Sequence, residues 1–263
     1  MIIDFHTHCF KDEVAVKAVP LLAERSGVTP ASDGTLSGLL SSMAQAGIDK
    51  SVVLPIATKP SQVVTINDWV MEIAGTKIIP FGTIHPDYPD WKKEIRRLAG
   101  AGICGIKFHP DYQEFYVNET KMLFIYEEIF SYDMTIIFHA GVDIGLPPPV
   151  HCTPDQLLTI INTFPGAKLV AAHMGGFKMW GEVEKTILGA DIYLETSYTL
   201  FMTGKEKMKE LIKGHGVDRV IFGTDFPWAE QKKELSEIKD LGFSEAEQEK
   251  ITWKNAMKLL KVE

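Results

Sequence analysis

The 263-residue sequence has few cysteines, few arginines and no long run of apolar residues. Its cysteines, Cys9, Cys104 and Cys152, are odd in number and far apart, which argues against a disulfide framework and favours reduced thiols in a cytoplasmic protein. No segment approaches the ~20 apolar residues that a membrane span requires. The N-terminus is already strand-like, without a basic region or a long apolar stretch, so we expect no signal peptide.

The charge of the chain narrows the range of partners. The formal net charge is −8, and no run of Lys or Arg is longer than a pair. Because nucleic acids and anionic membranes are bound by clustered cations, neither is an expected partner. An arginine clamp for a phosphorylated substrate would need Arg25 to fold inward, since the other arginines lie on a helix-like segment or at a strand start. We expect a small-molecule substrate, and a homodimer is left open.

Eight strand-like runs, most of them followed by a segment with helical spacing, organise the chain. They are short, rich in Ile and Val and apolar on both faces, as buried parallel strands are. The runs are Met1–Phe5, Lys50–Pro55, Ile78–Thr83, Cys104–Phe108, Thr135–Phe138, Lys168–Ala172, Ile192–Glu195 and Arg219–Phe222. This alternation predicts an α/β fold with a single domain over residues 1–263, a (β/α)8 TIM barrel with its active site at the carboxyl ends of the strands.

The competing architecture is a doubly wound open sheet. That fold would normally carry a Gly-rich phosphate loop after the first strand, and here that position holds His-Thr-His.

Two segments add detail to the barrel. Phe10–Asp33 is longer than a usual strand–helix connection, so we expect it to cover part of the barrel mouth. The segment from Ser244 to Leu260 predicts a final amphipathic helix, with Ser244 as N-cap and Glu247 completing a capping box.

Side chains that bind metals follow four of the strand-like runs. His6 and His8 are two apart, so on a strand both point to the same face and both can reach one ion. His139, His173 and Asp225 follow three later runs, and the carboxyl ends of barrel strands meet at one rim. A single such histidine would most often be a hydrogen-bonded core residue, but this combination predicts a catalytic metal centre.

His6, His8, His139 and Asp225 together offer three imidazole nitrogens and one carboxylate. This set suits one divalent metal ion, with Zn²⁺ favoured, and Mn²⁺, Fe²⁺ and Co²⁺ accept the same ligands. His173 is then free to act as a catalytic acid or base, and with the Asp225 carboxylate it would handle the proton of a metal-activated water. The alternative is that His173 is itself a ligand.

Lys107 and His109 are two apart at the end of the fourth run, so both are expected to face the barrel mouth. A buried lysine is costly unless paired. Three interpretations stay open for Lys107: it binds a substrate carboxylate, it is carboxylated and bridges two metals, or it forms a structural ion pair. His151, in a proline-rich loop, is a candidate substrate contact, with plain solvent exposure as the alternative.

The motifs around these residues resemble those of the amidohydrolase superfamily. Specifically, the chain resembles the branch of metal-dependent barrel hydrolases that also contains aminocarboxymuconate-semialdehyde decarboxylase, and the resemblance covers nearly the whole chain. It is carried by His139, His173 and two longer motifs, Asp4-Phe5-His6-Thr7-His8 and Gly223-Thr224-Asp225-Phe226-Pro227. The resemblance implies a single metal ion, metal ligands at His6, His8, His139 and Asp225, and His173 as the catalytic histidine.

The resemblance also bears on the lysine. Superfamily members with two metals often have a carboxylated lysine on the fourth strand, and Lys107 lies at about that place. The decarboxylases of the branch use a cationic side chain to hold the substrate carboxylate, often an arginine early in the chain. Arg25 is the early arginine of this sequence, and Lys107 is the substitute candidate.

Three functions are consistent with these residues. We expect a metal-dependent hydrolase of a small amide, lactone or related carbonyl compound that bears a carboxylate, in which metal-activated water attacks the carbonyl. The alternative is a decarboxylase or hydratase of an unsaturated or aromatic carboxylic acid on the same metal site. A non-catalytic metal-binding or scaffold protein is the third interpretation, and the intact ligand set argues against it.

Overall fold

The computed structural model describes residues 1–260, so the last three residues of the predicted domain lie outside the described part. Each of the eight predicted runs contains or overlaps a strand. The first strand extends two residues beyond its predicted run and includes His6, and the third run is interrupted at Phe81 and forms two strands. The strands are β1 (Ile3–Thr7), β2 (Lys50–Val53), β3 (Ile78–Pro80), β4 (Gly82–Thr83), β5 (Gly105–Phe108), β6 (Thr135–Phe138), β7 (Leu169–Ala171), β8 (Tyr193–Glu195) and β9 (Val220–Ile221).

These strands close into a barrel. Every pair is parallel, in the order β1-β2-β3 and then β4 through β9. The two stretches join at Phe81, whose N–H donates to Val53 O at 2.9 Å. The last strand returns to the first, because the Phe5 N–H donates to Phe222 O at 2.9 Å. The predicted TIM barrel is confirmed, and the open doubly wound sheet is wrong.

Helices follow the strands and surround the barrel. They are α1 (Asp12–Ser26), α2 (Leu36–Ala46), α3 (Val63–Glu72), α4 (Trp91–Gly100), α5 (Thr120–Ser131), α6 (Pro154–Thr163), α7 (Trp180–Thr186), α8 (Leu200–His215), α9 (Gln231–Lys239), α10 (Glu245–Glu249) and α11 (Asn255–Leu260). The predicted final helix is present as α10 and α11, joined through a π-helical segment, and its Ser244–Glu247 capping box forms. Within residues 1–260 no helix is long and apolar enough to cross a membrane.

A bulge in β1 determines which of its side chains face the barrel interior. Ile3 and Phe5 pack in an interior cluster with side chains from strands on the opposite side of the barrel. The pairing of β1 with β2 then shifts register in the second half of the strand. A bulge adds one residue and re-aims those that follow, so His6 and His8 also turn inward, while Asp4 turns outward to α9.

Candidate metal centre

Three side chains from the first and last strands converge at the carboxyl end of the barrel. His6 Nε2 lies 3.1 Å from His8 Nε2, and Asp225 Oδ1 lies 3.4 Å and 3.2 Å from these two atoms. Two ligand atoms that each lie about 2.1 Å from an ion, about 100° apart, are about 3.2 Å from each other. The two imidazole planes differ by 72°, so the rings are not stacked face to face. The three atoms therefore fit one face of a coordination polyhedron.

The far sides of the two imidazoles fix their tautomers. His6 Nδ1 lies 2.7 Å from Glu195 Oε2, and His8 Nδ1 lies 2.7 Å from the carbonyl oxygen of Leu54. The Leu54 carbonyl can only accept, so His8 carries its proton on Nδ1 and leaves Nε2 unprotonated. Burial raises the pKa of Glu195 to about 8, and in its carboxylate form Glu195 holds the His6 proton on Nδ1 in the same way. Burial, reinforced by the charge of Lys107, lowers the pKa of His6 well below its usual value. His6 is thus neutral, which a metal ligand must be.

The turn that follows β9 places the Asp225 carboxylate. Asp225 has a left-handed backbone with φ of 68°, a conformation that aspartate adopts more readily than most residues. Gly223 comes two residues earlier, where a Cβ atom would overlap Glu195 Oε1 and approach the His6 Cβ at 2.8 Å. The glycine of the Gly223–Pro227 motif is therefore needed so that the chain after β9 can pass close to the candidate ligands.

Lys107 lies against the same group of atoms. Its Nζ is 3.4 Å from His6 Nε2, and the residue is 1% exposed. Burial lowers the Lys107 pKa to about 8, while the charges of Asp225 and Glu195 oppose that change. Among residues 1–260 no carboxylate is close enough to form an ion pair with Nζ. The structural ion pair is thus the weakest of the three interpretations of Lys107.

His139 lies beside this group rather than within it. Its Nδ1 is 3.1 Å from His173 Nε2, and its buried Nε2 has no hydrogen-bond partner among the described residues. Together with His109 and Asp143, His139 forms a second cluster of side chains with metal-binding atoms. The His109 and His139 rings are stacked 4.1 Å apart and within 10° of parallel, so one ion cannot lie in both ring planes. The second cluster is the poorer metal site, and His139 as fourth ligand of the first stays a prediction.

Hydrogen bonds fix the orientation of the His173 ring, and His173 lines the cavity. Its Nδ1 lies 3.0 Å from the carbonyl oxygen of Ser197, which fixes the Nδ1 proton and leaves Nε2 toward His139. Ser197 Oγ lies 3.1 Å from the Nδ1 atoms of both His173 and His6, and donates to Glu195 at 2.7 Å. Burial lowers the pKa of His173. The catalytic role predicted for His173 is compatible with this placement and stays a prediction.

The remaining predicted residues occupy the opposite wall. His109 Nε2 lies 3.2 Å from Asp143 Oδ2, and both residues line the cavity. His151 is not in that lining; its Nδ1 and backbone N–H contact Asp111 Oδ1 at 2.8 Å and 3.1 Å, and Asp111 does line the cavity. His151 thus reaches the cavity only through its contact with Asp111. Direct substrate contact by His109 or His151 stays a prediction.

The structure adds cavity residues that strand periodicity could not find. Asp111, Tyr112 and Asp143 belong to the loops after β5 and β6. Arg25, the early arginine already noted in the sequence, belongs to α1 over the barrel mouth and does line the cavity. The Tyr112 hydroxyl hydrogen-bonds with Arg25, which favours the ionised phenol, although burial raises the Tyr112 pKa overall. As predicted for the long connection after β1, α1 covers part of the mouth. The resulting cavity has a volume of about 720 Å³.

A parallel barrel with histidine and aspartate side chains converging at the carboxyl ends of its strands defines a TIM-barrel protein with a candidate metal centre. Residues 3–262 match the family model Amidohydro_2, described as amidohydrolase. The chain belongs to this amidohydrolase family, as its motifs predicted. No curated protein matches the sequence.

Solved structures share the fold along the whole chain. 5-Carboxyvanillate decarboxylase LigW from Sphingomonas paucimobilis is 15% identical, with a TM-score of 0.75 and coverage of 100% of this chain and 99% of that one. An uncharacterized TIM-barrel protein from Bordetella bronchiseptica is 19% identical, with a TM-score of 0.79 and coverage of 99% and 98%. A dihydroxybenzoic acid decarboxylase from Polaromonas sp. JS666, solved with manganese and the inhibitor 2-nitroresorcinol, is 17% identical, with a TM-score of 0.74 and coverage of 99% and 96%.

Proposed function

We propose that the protein is a metal-dependent decarboxylase of a small aromatic or unsaturated carboxylic acid. The observation that carries the proposal is the position of Lys107, a buried cation next to the candidate metal ligands and without a carboxylate partner in residues 1–260. A buried charge of this kind is stabilised by an opposite charge, which a substrate carboxylate would bring. Two of the structural neighbours are decarboxylases of aromatic acids. They support decarboxylation more than the hydrolysis expected from the sequence.

The candidate centre fits one divalent cation. His6, His8 and Asp225 would hold it, and His139, whose buried Nε2 has no hydrogen-bond partner among the described residues, would supply the fourth ligand. Imidazole and carboxylate ligands accept Mn²⁺ as well as Zn²⁺, and the Polaromonas decarboxylase was solved with manganese. When bound, the cation would supply Lewis-acid stabilisation of negative charge on the substrate.

The chain's own side chains divide the remaining work. Lys107 would bind the substrate carboxylate through Nζ and orient the bond to be broken. His173 in its doubly protonated form, with the Nδ1–H held by the Ser197 carbonyl, would deliver the Nε2 proton to the carbon that bears the carboxylate. The new C–H bond takes its electron pair from the ring or double bond of the substrate. The carbon–carboxylate bond then breaks, its electron pair restores that ring or double bond, and CO2 leaves. Burial of the site, which lowers the pKa of His173, favours transfer of that proton to the substrate.

The test is product analysis with the metal-loaded protein. The substrates are 2,6-dihydroxybenzoate and 5-carboxyvanillate labelled with ¹³C in the carboxylate, next to a panel of lactones and amides. We expect release of ¹³CO2 from an aromatic acid, and a loss of about 10²–10⁴-fold in the His173→Asn variant at unchanged metal content. Turnover of a lactone or amide with incorporation of ¹⁸O from water, and none of any acid, would instead establish the hydrolase. Loss of metal from His173→Asn would make His173 a ligand.

A further inference from the structure

Helix α1 presents a stripe of side chains to the cavity rather than to the protein core. Val14, Ala18, Leu21, Leu22 and Arg25 all line the cavity. Their spacing is i, i+4, i+7, i+8 and i+11, which places them on one helical face. The core side of the same helix is carried by different residues, which are buried. The α1 helix therefore has one broad apolar face, and packing against the protein core buries only the part of it at Ala15 and Val19.

The stripe is unusually open for apolar side chains. Val14 is 44% exposed and Leu21 is 54% exposed. Ile66 and Trp69 of α3 and Ile144 of the loop after β6 line the same cavity, so the mouth has apolar walls from three segments. Covering such surface stabilises a complex by roughly 25 cal/mol per Å². A ligand that reaches the mouth would gain from an apolar group there.

The cavity is also larger than a single-ring acid needs. Its volume of about 720 Å³ lies in the upper half of the roughly 300–1,000 Å³ range of pockets that enclose drug-sized ligands. Its polar end holds Lys107 and the candidate metal ligands at the strand ends, and α1 lies over the mouth. A ligand anchored by a carboxylate at Lys107 would direct its other end toward the α1 stripe.

We propose that the substrate carries an apolar extension of several carbons, or a second ring, which binds against the α1 stripe while its carboxylate binds at Lys107. The proposal rests on the proposed decarboxylase function and names the substrate class more closely. Continuity of the stripe with the candidate active site favours a small-molecule occupant over another protein chain. The same side chains would then determine which acids the enzyme accepts.

The experiment compares two ligands of the metal-loaded protein, 2,6-dihydroxybenzoate and its 4-butyl derivative, by calorimetry. We expect the butyl derivative to bind wild-type protein about tenfold more tightly, since burying even half of a butyl chain has about that effect. Leu21→Ser should reduce this advantage to about threefold or less and leave the affinity for the parent acid unchanged. The matched control is Val16→Ser, on the same helix, 75% exposed and outside the cavity lining, which should change neither affinity.

Each other outcome overturns a defined claim. If the parent acid binds and the butyl group adds nothing, or if Leu21→Ser behaves like Val16→Ser, the extension is wrong and the decarboxylase proposal stands. If neither acid binds wild-type protein, both proposals fail. The other possible occupant of the stripe is a second copy of the chain, and sedimentation of wild type and Leu21→Ser tests it. A changed oligomeric state with an unchanged butyl advantage would make the stripe a contact between two copies of the chain.

Discussion

Asp4 binds the last turn of the barrel through Thr224, although the two residues are separated by almost the whole chain. Its Oδ1 accepts the Thr224 backbone N–H at 3.0 Å, and its Oδ2 accepts the Thr224 hydroxyl at 2.6 Å. The same carboxylate accepts the His6 N–H and the Gln231 side-chain amide. Asp4 is fully buried and has no place in the candidate metal group, so it holds the neighbours of two candidate ligands in position.

Replacement of Asp4 should therefore weaken both the fold and the metal site. Asp4→Ala leaves several buried donors without an acceptor, which costs about 2–4 kcal/mol of the free energy of unfolding. We also expect metal affinity to fall by about 10–100-fold, as is usual when a residue that positions a ligand is lost. Urea unfolding of the metal-free protein and metal titration measure the two effects. Asp218→Ala, whose side chain is 76% exposed in a surface ion pair, should change neither by a measurable amount.

Metal content separates the two candidate clusters. We expect one divalent ion per wild-type chain, close to none in the His6→Ala/His8→Ala variant, and one in His109→Asn. The reason is that the His6 and His8 Nε2 atoms lie close together beside the Asp225 carboxylate, whereas the His109 and His139 rings are stacked in parallel. Elemental analysis after dialysis measures this. A loss confined to His109→Asn would place the ion in the second cluster, and two ions per wild-type chain would support a carboxylated Lys107.

Lys107→Met should weaken the binding of carboxylate substrates and spare that of neutral ones. The variant keeps the bulk of the side chain and removes the cation, so KM for a carboxylate substrate should rise by about 10–100-fold, the usual range for a hydrogen bond to a charged group. Metal content should not change. Lys168→Met, which removes a lysine bonded to the Asp133 carbonyl oxygen at the other end of the barrel strands, is the matched control. Equal losses on charged and neutral substrates would contradict a role in carboxylate binding.

His215 gives the fold a dependence on pH that is independent of the metal centre. Its Nδ1 accepts the Gly189 N–H at 3.0 Å and its Nε2 donates to Ile192 O at 2.8 Å, so the folded protein holds it neutral. Burial lowers its pKa from 6.5 to about 4. Between these values the unfolded chain binds a proton that the folded chain does not. This contribution to stability is complete above pH 6.5 and is lost as the pH falls toward 4, by up to about 3 kcal/mol.

Urea unfolding of the metal-free protein between pH 7.5 and pH 4.5 measures this effect. We expect His215→Gln to be less stable than wild type at pH 7.5, and to lose less stability than wild type on acidification. Parallel curves of the free energy of unfolding against pH for the two proteins would show that His215 does not contribute to the pH dependence.

The sequence predicted the strands well because each is a short apolar run between polar loops. It could not predict the bulge in β1, because strict alternation places Asp4 on the same face as His6 and His8, and only pairing with β2 shows the shift in register. Asp111 and Asp143 were missed for a related reason. They lie in loops, where side-chain direction depends on tertiary packing and not on a period.

Arg25 shows that side-chain direction is also hard to predict from sequence for a residue on a helix. The spacing of α1 indicates which residues share a face, but it does not indicate whether that face meets the core or a cavity. His151 was placed correctly in a loop near the mouth, yet its bond to Asp111 could not be foreseen from sequence, because the two residues are forty positions apart.

The contact between β1 and β9 that closes the barrel also carries the candidate centre. The Asp225 N–H donates to His6 O at 2.8 Å, and the His8 N–H donates to Phe226 O at 2.6 Å, so the backbone bonds of the closure run through the candidate ligands themselves. These pairings join residues more than two hundred positions apart and are among the costliest in chain entropy to form. A cation bound there would hold the first and last strands of the barrel together. Metal uptake during refolding would then show when the barrel has closed. Removal of the metal by a chelator would make the barrel easier to open between β1 and β9.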